Sequence, residues 1–333
     1  MSEPPPRSGE PIRQRRAAQR LPIADFHSHH IAPSVPALAP SGAPADLLRS
    51  WRRVRRQAGD LAGMLAEMDF LGIDLRVLSA PPAMVTPAGQ RITPATVALV
   101  NEYLADVVAA HPGRLAGLAT VDAFAGPAAV GAVAEVAAAG FPGIVVDCAH
   151  QGLLLDAPQC RPALESAAAA GLTVFVHPVS PVALSAELAP LGRLGTSLAR
   201  GTASAACLLA LLVAGMPERL PGLRLVFPML GAAGLHLAAA APAGERIAAD
   251  APVDQRWHLY TDTMGFAPAS IRFAVELLGA DHVVAGSDWP VADRVADRDR
   301  VSWALDRAGL TRTQQRWVAH DNAAALVGRS TPG

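Results

Sequence analysis

The sequence predicts an α/β fold, a single-domain (β/α)8 TIM barrel, on three observations. Eight short apolar runs recur along the 333 residues, and alanine-rich stretches of helical length separate them. No Gly-rich phosphate turn follows an early run, as a doubly wound sheet would require. The runs lie at 22–27, 73–79, 115–121, 143–148, 173–177, 224–229, 258–262 and 282–287. They are continuous rather than alternating, the pattern of parallel strands covered on both faces.

The intervening stretches 94–110, 127–139, 157–170, 203–220 and 268–278 read as helices. Gly140, Gly171 and Gly279 stand where C-caps precede the next strand. Segment 31–56 is rich in Pro, Ala and Arg with little periodicity, and is expected to be an elaborated loop over the barrel mouth. Residues 1–20, rich in Pro and Arg without an apolar stretch, are expected to be a disordered tail. The barrel domain is then 21–330.

Composition narrows the function. With 51% hydrophobic and 17% charged residues, the chain can bury a large core. A net charge of −1 and the lack of a basic stripe give no case for a nucleic-acid partner. The most apolar helical stretch, 203–214, is shorter than the roughly 20 residues a bilayer span needs, so no membrane partner is expected. Three cysteines, Cys148, Cys160 and Cys207, have no metal-ligand spacing and fit a reducing cytoplasm. Every basic residue apart from histidine is arginine. Without lysine there is neither a Schiff-base amine nor a carboxylated lysine bridging two metals, which favours a mononuclear centre.

Chemistry concentrates at strand ends. In Asp25-Phe26-His27-Ser28-His29, two histidines one residue apart project to one side of a strand. His177 closes the run Val174-Phe175-Val176, and Asp288 follows Ala285-Gly286-Ser287. The C-terminal strand ends of a barrel converge on one face, where active sites sit. Three histidines and an aspartate gathered there describe a catalytic metal centre.

Together with Glu67-Met68-Asp69, Gly140-Phe141-Pro142-Gly143, Phe175-Val176-His177-Pro178, Tyr260-Thr261-Asp262-Thr263, Gly286-Ser287-Asp288-Trp289-Pro290 and Asn322-Ala323, this set resembles the amidohydrolase superfamily. The likeness is to the branch containing aminocarboxymuconate-semialdehyde decarboxylase and other aromatic-acid decarboxylases. It implies Zn2+, or another divalent ion such as Mn2+, Co2+ or Fe2+, held by His27, His29, His177 and Asp288, with Asp288 also accepting a proton. It further implies a homodimer acting on a small-molecule substrate by non-oxidative decarboxylation. Two positions depart from the branch: Met229 replaces the strand-6 histidine, and Ala240 stands where a substrate-gripping arginine is found. A metal-assisted hydrolysis of an amide or lactone tolerates Met229 better. A paralogue with an altered, binding role is a third reading. His150, just past strand 4, is the candidate replacement base. Arg52 and Arg55 in the strand-1 segment are the candidates for substrate binding, with Met229 contributing to the pocket.

Overall fold

The computed structural model describes residues 21–40, 42–241, 244–251, 256–292 and 297–329. The tail expected at 1–20 lies outside them. Eight strands run in chain order around one sheet: β1 (Ala24–His29), β2 (Leu75–Ser79), β3 (Leu115–Thr120), β4 (Gly143–Asp147), β5 (Thr173–His177), β6 (Arg224–Phe227), β7 (Leu259–Asp262) and β8 (Val283–Val284). Every adjacent pair is parallel. The ring closes where Ser28 bridges Trp289, and where the amides of Phe26 and His29 donate to the carbonyls of Ala285 and Trp289, each at 2.8 Å.

Helices follow the strands in the expected alternation. After β1 come α1 (Ala45–Ala58) and α2 (Leu61–Leu71). The helices after β2 to β8 are then α3 (Pro94–Ala110), α4 (Ala128–Ala138), α5 (Arg161–Ala169), α6 (Arg193–Val213), α7 (Ala232–Ala239), α8 (Pro268–Leu278) and α9 (Arg298–Arg307). Local chemistry fixes their ends. Thr93 caps α3 with Pro94 at its first turn, Asp60 accepts from the Gly63 amide at the start of α2, and Gly72 ends α2 in the left-handed conformation.

Two expectations need correction. Segment 31–56 is not only a loop. It contains most of α1, whose Leu47, Trp51, Val54 and Ala58 are buried on one face, and Trp51 donates to the Ala37 carbonyl at 3.0 Å. The helix expected to begin at 203 begins at Arg193 and spans 21 residues, so among the described residues it alone is long and apolar enough to cross a membrane. It packs along α7 and the turn before it, and just over half of its most apolar stretch is buried.

The strands alternate between two cores. Ala24 and Phe26, Leu75 and Val77, Ala116 and Leu118, Val145, Phe175, Val226 and Val284 fill the barrel interior, and Ala323, Leu326 and Val327 join them. The residues between, such as Leu78, Val146, Val176 and Leu225, face the helices. The interior is therefore packed rather than hollow. The same alternation carries Val145 to Asp147, Phe175 to His177 and Tyr260 to Asp262, which brings three polar side chains to the mouth from three strands.

Candidate metal centre

β1 departs from strict alternation at the point that matters. Its register with β2 shifts between Asp25 and Ser28, so β1 carries one extra residue there. This β-bulge lets Phe26 face the packed interior while His27 and His29 face the mouth, and it turns Asp25 and Ser28 outward together. Asp25 is held by its neighbours: Oδ1 accepts from the Ser287 amide, and Oδ2 accepts from the hydroxyls of Ser28 and Ser287. The bulge and the β8 end are thus tied to each other.

His27, His29 and His177 are all fully buried, and each offers a nitrogen within 4.8 Å of the other two. Asp288 completes the group: its Oδ1 lies 3.1 Å from His29 Nε2 and 3.4 Å from His27 Nε2. The backbone at Asp288 adopts a positive φ of 60°, a region aspartate tolerates better than bulkier residues. Two side chains orient the rings. His27 Nδ1 donates to Asp262 Oδ2 at 2.6 Å, and His29 Nδ1 meets Ser79 Oγ at 3.1 Å. These bonds turn the Nε2 lone pairs of His27 and His29 toward Asp288.

The group fits a divalent cation. Nε2 of His27 and Nδ1 of His177 are buried without a hydrogen-bond partner, each a cost of about 1–3 kcal/mol if left so. Neutral imidazoles and a carboxylate facing one point are the donor set of a borderline metal ion. The electrostatics agree for His29, His177 and Asp288, while His27 is drawn towards the charged form by the carboxylates around it. Burial and the Asp288 contact act in opposite directions on His29, and burial prevails, so its pKa falls below the ordinary value. His177 is held well below by burial, Arg200 and the other two histidines. Burial also opposes protonation of His27, but the carboxylates of Asp288, Asp262 and Asp25 outweigh it and raise its pKa. Burial would raise Asp288, yet His27, His29 and Arg200 hold it below the usual carboxylate range.

A cavity of about 860 Å3 opens beside the triad, with His177 and Arg200 in its wall. Trp51, Met84, Ile92, Phe124 and Val291 give it apolar sides. Asp147 also lines it, 3.9 Å from His177 Nδ1, with a pKa pushed up to about 7 by burial. His150 lines the cavity from a short antiparallel hairpin (Ala149–His150 with Leu153–Leu154), its ring 5.7 Å from that of Phe124. Burial lowers its pKa, and no hydrogen bond joins it to the triad or Asp288 among the described residues.

The other candidates lie elsewhere. Arg52 is exposed on α1 outside the cavity lining, and Arg55, also outside it, donates from Nε to the Ala37 carbonyl at 2.8 Å. Met229 is buried and does not line the cavity; its amide donates to Asp262 Oδ1 at 2.8 Å. Three side chains that contact the triad were not singled out from the sequence: Asp262, Asp147 and Arg200. The first two stand at the interior-facing ends of their strands, the same signal that marked His177.

The amidohydrolase family model matches residues 24–329. The chain belongs to this family. Among solved structures, this amidohydrolase resembles the 5-carboxyvanillate decarboxylase from Sphingomonas paucimobilis, at 21% identity and a TM-score of 0.70, over 93% of this chain and 100% of that one. A 2,6-dihydroxybenzoate decarboxylase solved with 2,6-dihydroxybenzoate matches at 20% identity and a TM-score of 0.73, over 92% of this chain and 99% of that one. A dihydroxybenzoic acid decarboxylase from Polaromonas, solved with manganese and 2-nitroresorcinol, matches at 21% identity and a TM-score of 0.72, over 92% of this chain and 97% of that one. At these identities the likeness establishes the amidohydrolase barrel.

Proposed function

We propose that this amidohydrolase is a metal-dependent, non-oxidative decarboxylase of a small aromatic or cyclic carboxylic acid. The observation that carries the reading is the placement of an oriented triad, His27, His29 and His177 with Asp288, beside a large cavity with mainly apolar walls. The solved barrels it resembles include several decarboxylases of aromatic acids, which supports this chemistry over hydrolysis or an accessory role.

The three histidines and Asp288 would hold the divalent ion, Mn2+ or Zn2+, which when bound polarises a substrate oxygen and neutralises negative charge. Asp262 and Ser79 keep the imidazoles aimed. The apolar walls grip the hydrocarbon body and exclude water, so that loss of CO2 is not met by bulk solvent. Replacing a carboxylate by hydrogen requires one proton, and Asp288, ionised at rest at the mouth, is the group we assign to take it from a substrate hydroxyl or water and pass it to the carbon that loses CO2. Three buried free cysteines support a reducing compartment, and we place the protein in the cytoplasm. The exposed Leu194 and Leu198, one turn apart near the start of α6, with Leu191 exposed in the turn before it, support a homodimer.

The test is CO2 release from a panel of hydroxybenzoic and other cyclic carboxylic acids by Mn2+- or Zn2+-loaded protein. One divalent ion per chain and CO2 from at least one acid are expected, both lost in the double variant His27→Ala, His29→Ala. Ring opening or amide cleavage without CO2 would overturn the reading.

A further inference from the structure

We infer that Arg200 is the group that recognises the substrate's carboxylate, and that the ligand class of the cavity is a flat, apolar organic monocarboxylate bound with its anionic end beside His177. The inference rests on the proposed function for the reaction, but its physical basis is separate.

Arg200 lies on α6, the helix that follows β5, and its side chain reaches back into the cavity wall next to the β5 terminus. Its terminal nitrogen lies 3.4 Å from His177 Nε2, a long contact to an imidazole. Its Nε is enclosed and has no hydrogen-bond partner. No carboxylate forms an ion pair with it among the described residues, whereas Arg91, Arg114, Arg256, Arg298 and Arg316 each pair with an aspartate. A guanidinium keeps its charge at any working pH and presents a rigid fork of donors suited to a carboxylate's two oxygens. Placing one in a largely apolar wall without a counter-ion is costly unless a ligand supplies the anion.

The charge balance points the same way. Arg200 already acts on His29, His177 and Asp288 through space. A cation held by the triad adds positive charge to the same end of the cavity, and an anion shared between the two relieves their repulsion. Of the other charged residues in the lining, Arg91 and Asp122 pair with each other and Asp147 sits by His177, while Trp51, Met84, Ile92 and Phe124 suit a planar hydrocarbon body. Ala240 leaves the position of the branch's usual arginine without a charge, and Arg52 and Arg55 lie outside the cavity lining, so Arg200 is the described arginine that joins cavity and triad.

The experiment is calorimetric titration of Mn2+-loaded protein with benzoate and with its neutral isostere benzamide. Wild type should prefer benzoate. Arg200→Gln should weaken benzoate by roughly ten- to hundredfold, the range for a hydrogen bond to a charged group, while leaving benzamide affinity unchanged when the two proteins are compared at equal manganese loading. Arg200→Lys, which keeps the charge and loses the fork, should recover part of the loss. Equal affinity of wild type for both probes, binding of neither, or benzoate affinity unchanged in Arg200→Gln would overturn the inference. If benzoate binding depends on Arg200 but no acid in the panel releases CO2, the decarboxylase reading fails and the carboxylate site stands. If CO2 is released and Arg200→Gln leaves KM and benzoate affinity as they were, the reverse holds.

Discussion

The Nδ1–H of His27 donates to Asp262 Oδ2 across the barrel mouth at 2.6 Å, the shortest of the bonds that orient the triad. The other oxygen of Asp262 accepts from the amides of Met229 and Met264, at 2.8 and 2.9 Å. One carboxylate thus fixes the tautomer and direction of His27 while tying the ends of β6 and β7 together. Asp262→Asn should keep the fold, because an amide oxygen can still accept from the backbone, but should weaken metal binding by about 10–100-fold. Competition with a chelator measures the affinity, and far-UV circular dichroism checks the fold. Unchanged affinity would mean that packing alone aims His27.

Gly286 is the point of closest approach beneath the site. A Cβ there would lie 2.8 Å from His27 Cβ and 2.9 Å from Asp262 Cβ, closer than real Cβ contacts allow. Both neighbours sit on strands, so relief must come from moving the strand ends. Gly286→Ala should cost about 1–3 kcal/mol in stability, the usual penalty for overpacking, and should reduce metal content. Urea denaturation and metal analysis on the same preparation test both effects. A stable, fully loaded variant would show that the mouth is more compliant than its packing indicates.

The barrel was legible because its signal is redundant: all eight runs became strands, within a few residues at their ends. β8 is the shortest as a regular strand, yet backbone bonds to β1 continue beyond it to Trp289. The meeting of His27, His29, His177 and Asp288 was legible for the same reason, since strand tips converge whatever the loops do. What escaped was set by geometry that composition does not carry. The β1 bulge reverses the facing of half a strand, and nothing in Asp25-Phe26-His27 announces it. Asp262 and Asp147 follow from counting inward-facing positions once a strand's register is known. Arg200 lies in a turn of α6 upstream of the apolar stretch that marked the helix. α1 was hidden because its arginines and a flanking proline-rich stretch obscured the periodicity of Leu47, Trp51, Val54 and Ala58.

Stability should fall in mild acid, with His282 contributing. Its ring packs edge-on against Tyr260 at 4.6 Å, and Nδ1 donates to the Leu278 carbonyl at 3.2 Å. Burial, then Arg256, push its pKa down to about 4 against the opposing pull of Asp281. The folded value lies below the unfolded one, about 6.5. Above that value the ring is neutral in both states and contributes no pH dependence. As the pH drops from about 6.5 towards 4, the unfolded chain takes up a proton that the folded chain refuses, and stability is lost. By pH 4.5 the loss is on the order of 2 kcal/mol. Melting temperatures of wild type and His282→Gln between pH 7.5 and 4.5 give the comparison: the variant's curve should be flatter across this window. Parallel curves would assign the acid sensitivity to other groups.

Asp25 and Arg76 should respond unequally to truncation, although they form one buried pair. Arg76 Nε lies 3.5 Å from Asp25 Oδ2, and its guanidinium stacks over the Trp289 ring with Cζ 4.5 Å from the centroid. Asp25 has three further donors, the Ser287 amide and the hydroxyls of Ser28 and Ser287. Arg76 Nε and one terminal nitrogen have no hydrogen bond, and its charge is balanced first by Asp25 and then, less strongly, by Glu67. Removing the carboxylate strands a buried cation, which costs about 3–5 kcal/mol, and it also frees the donors that join the β1 bulge to the end of β8. Removing the guanidinium leaves a carboxylate still bonded three times, and an apolar replacement retains much of the packing on Trp289. Asp25→Ala should therefore destabilise more than Arg76→Met, and the double variant should cost less than the two single costs added together. Urea midpoints with unchanged m-values decide the order. If Arg76→Met were the more damaging, the stack on Trp289, rather than the ion pair, would be what holds Arg76 in place.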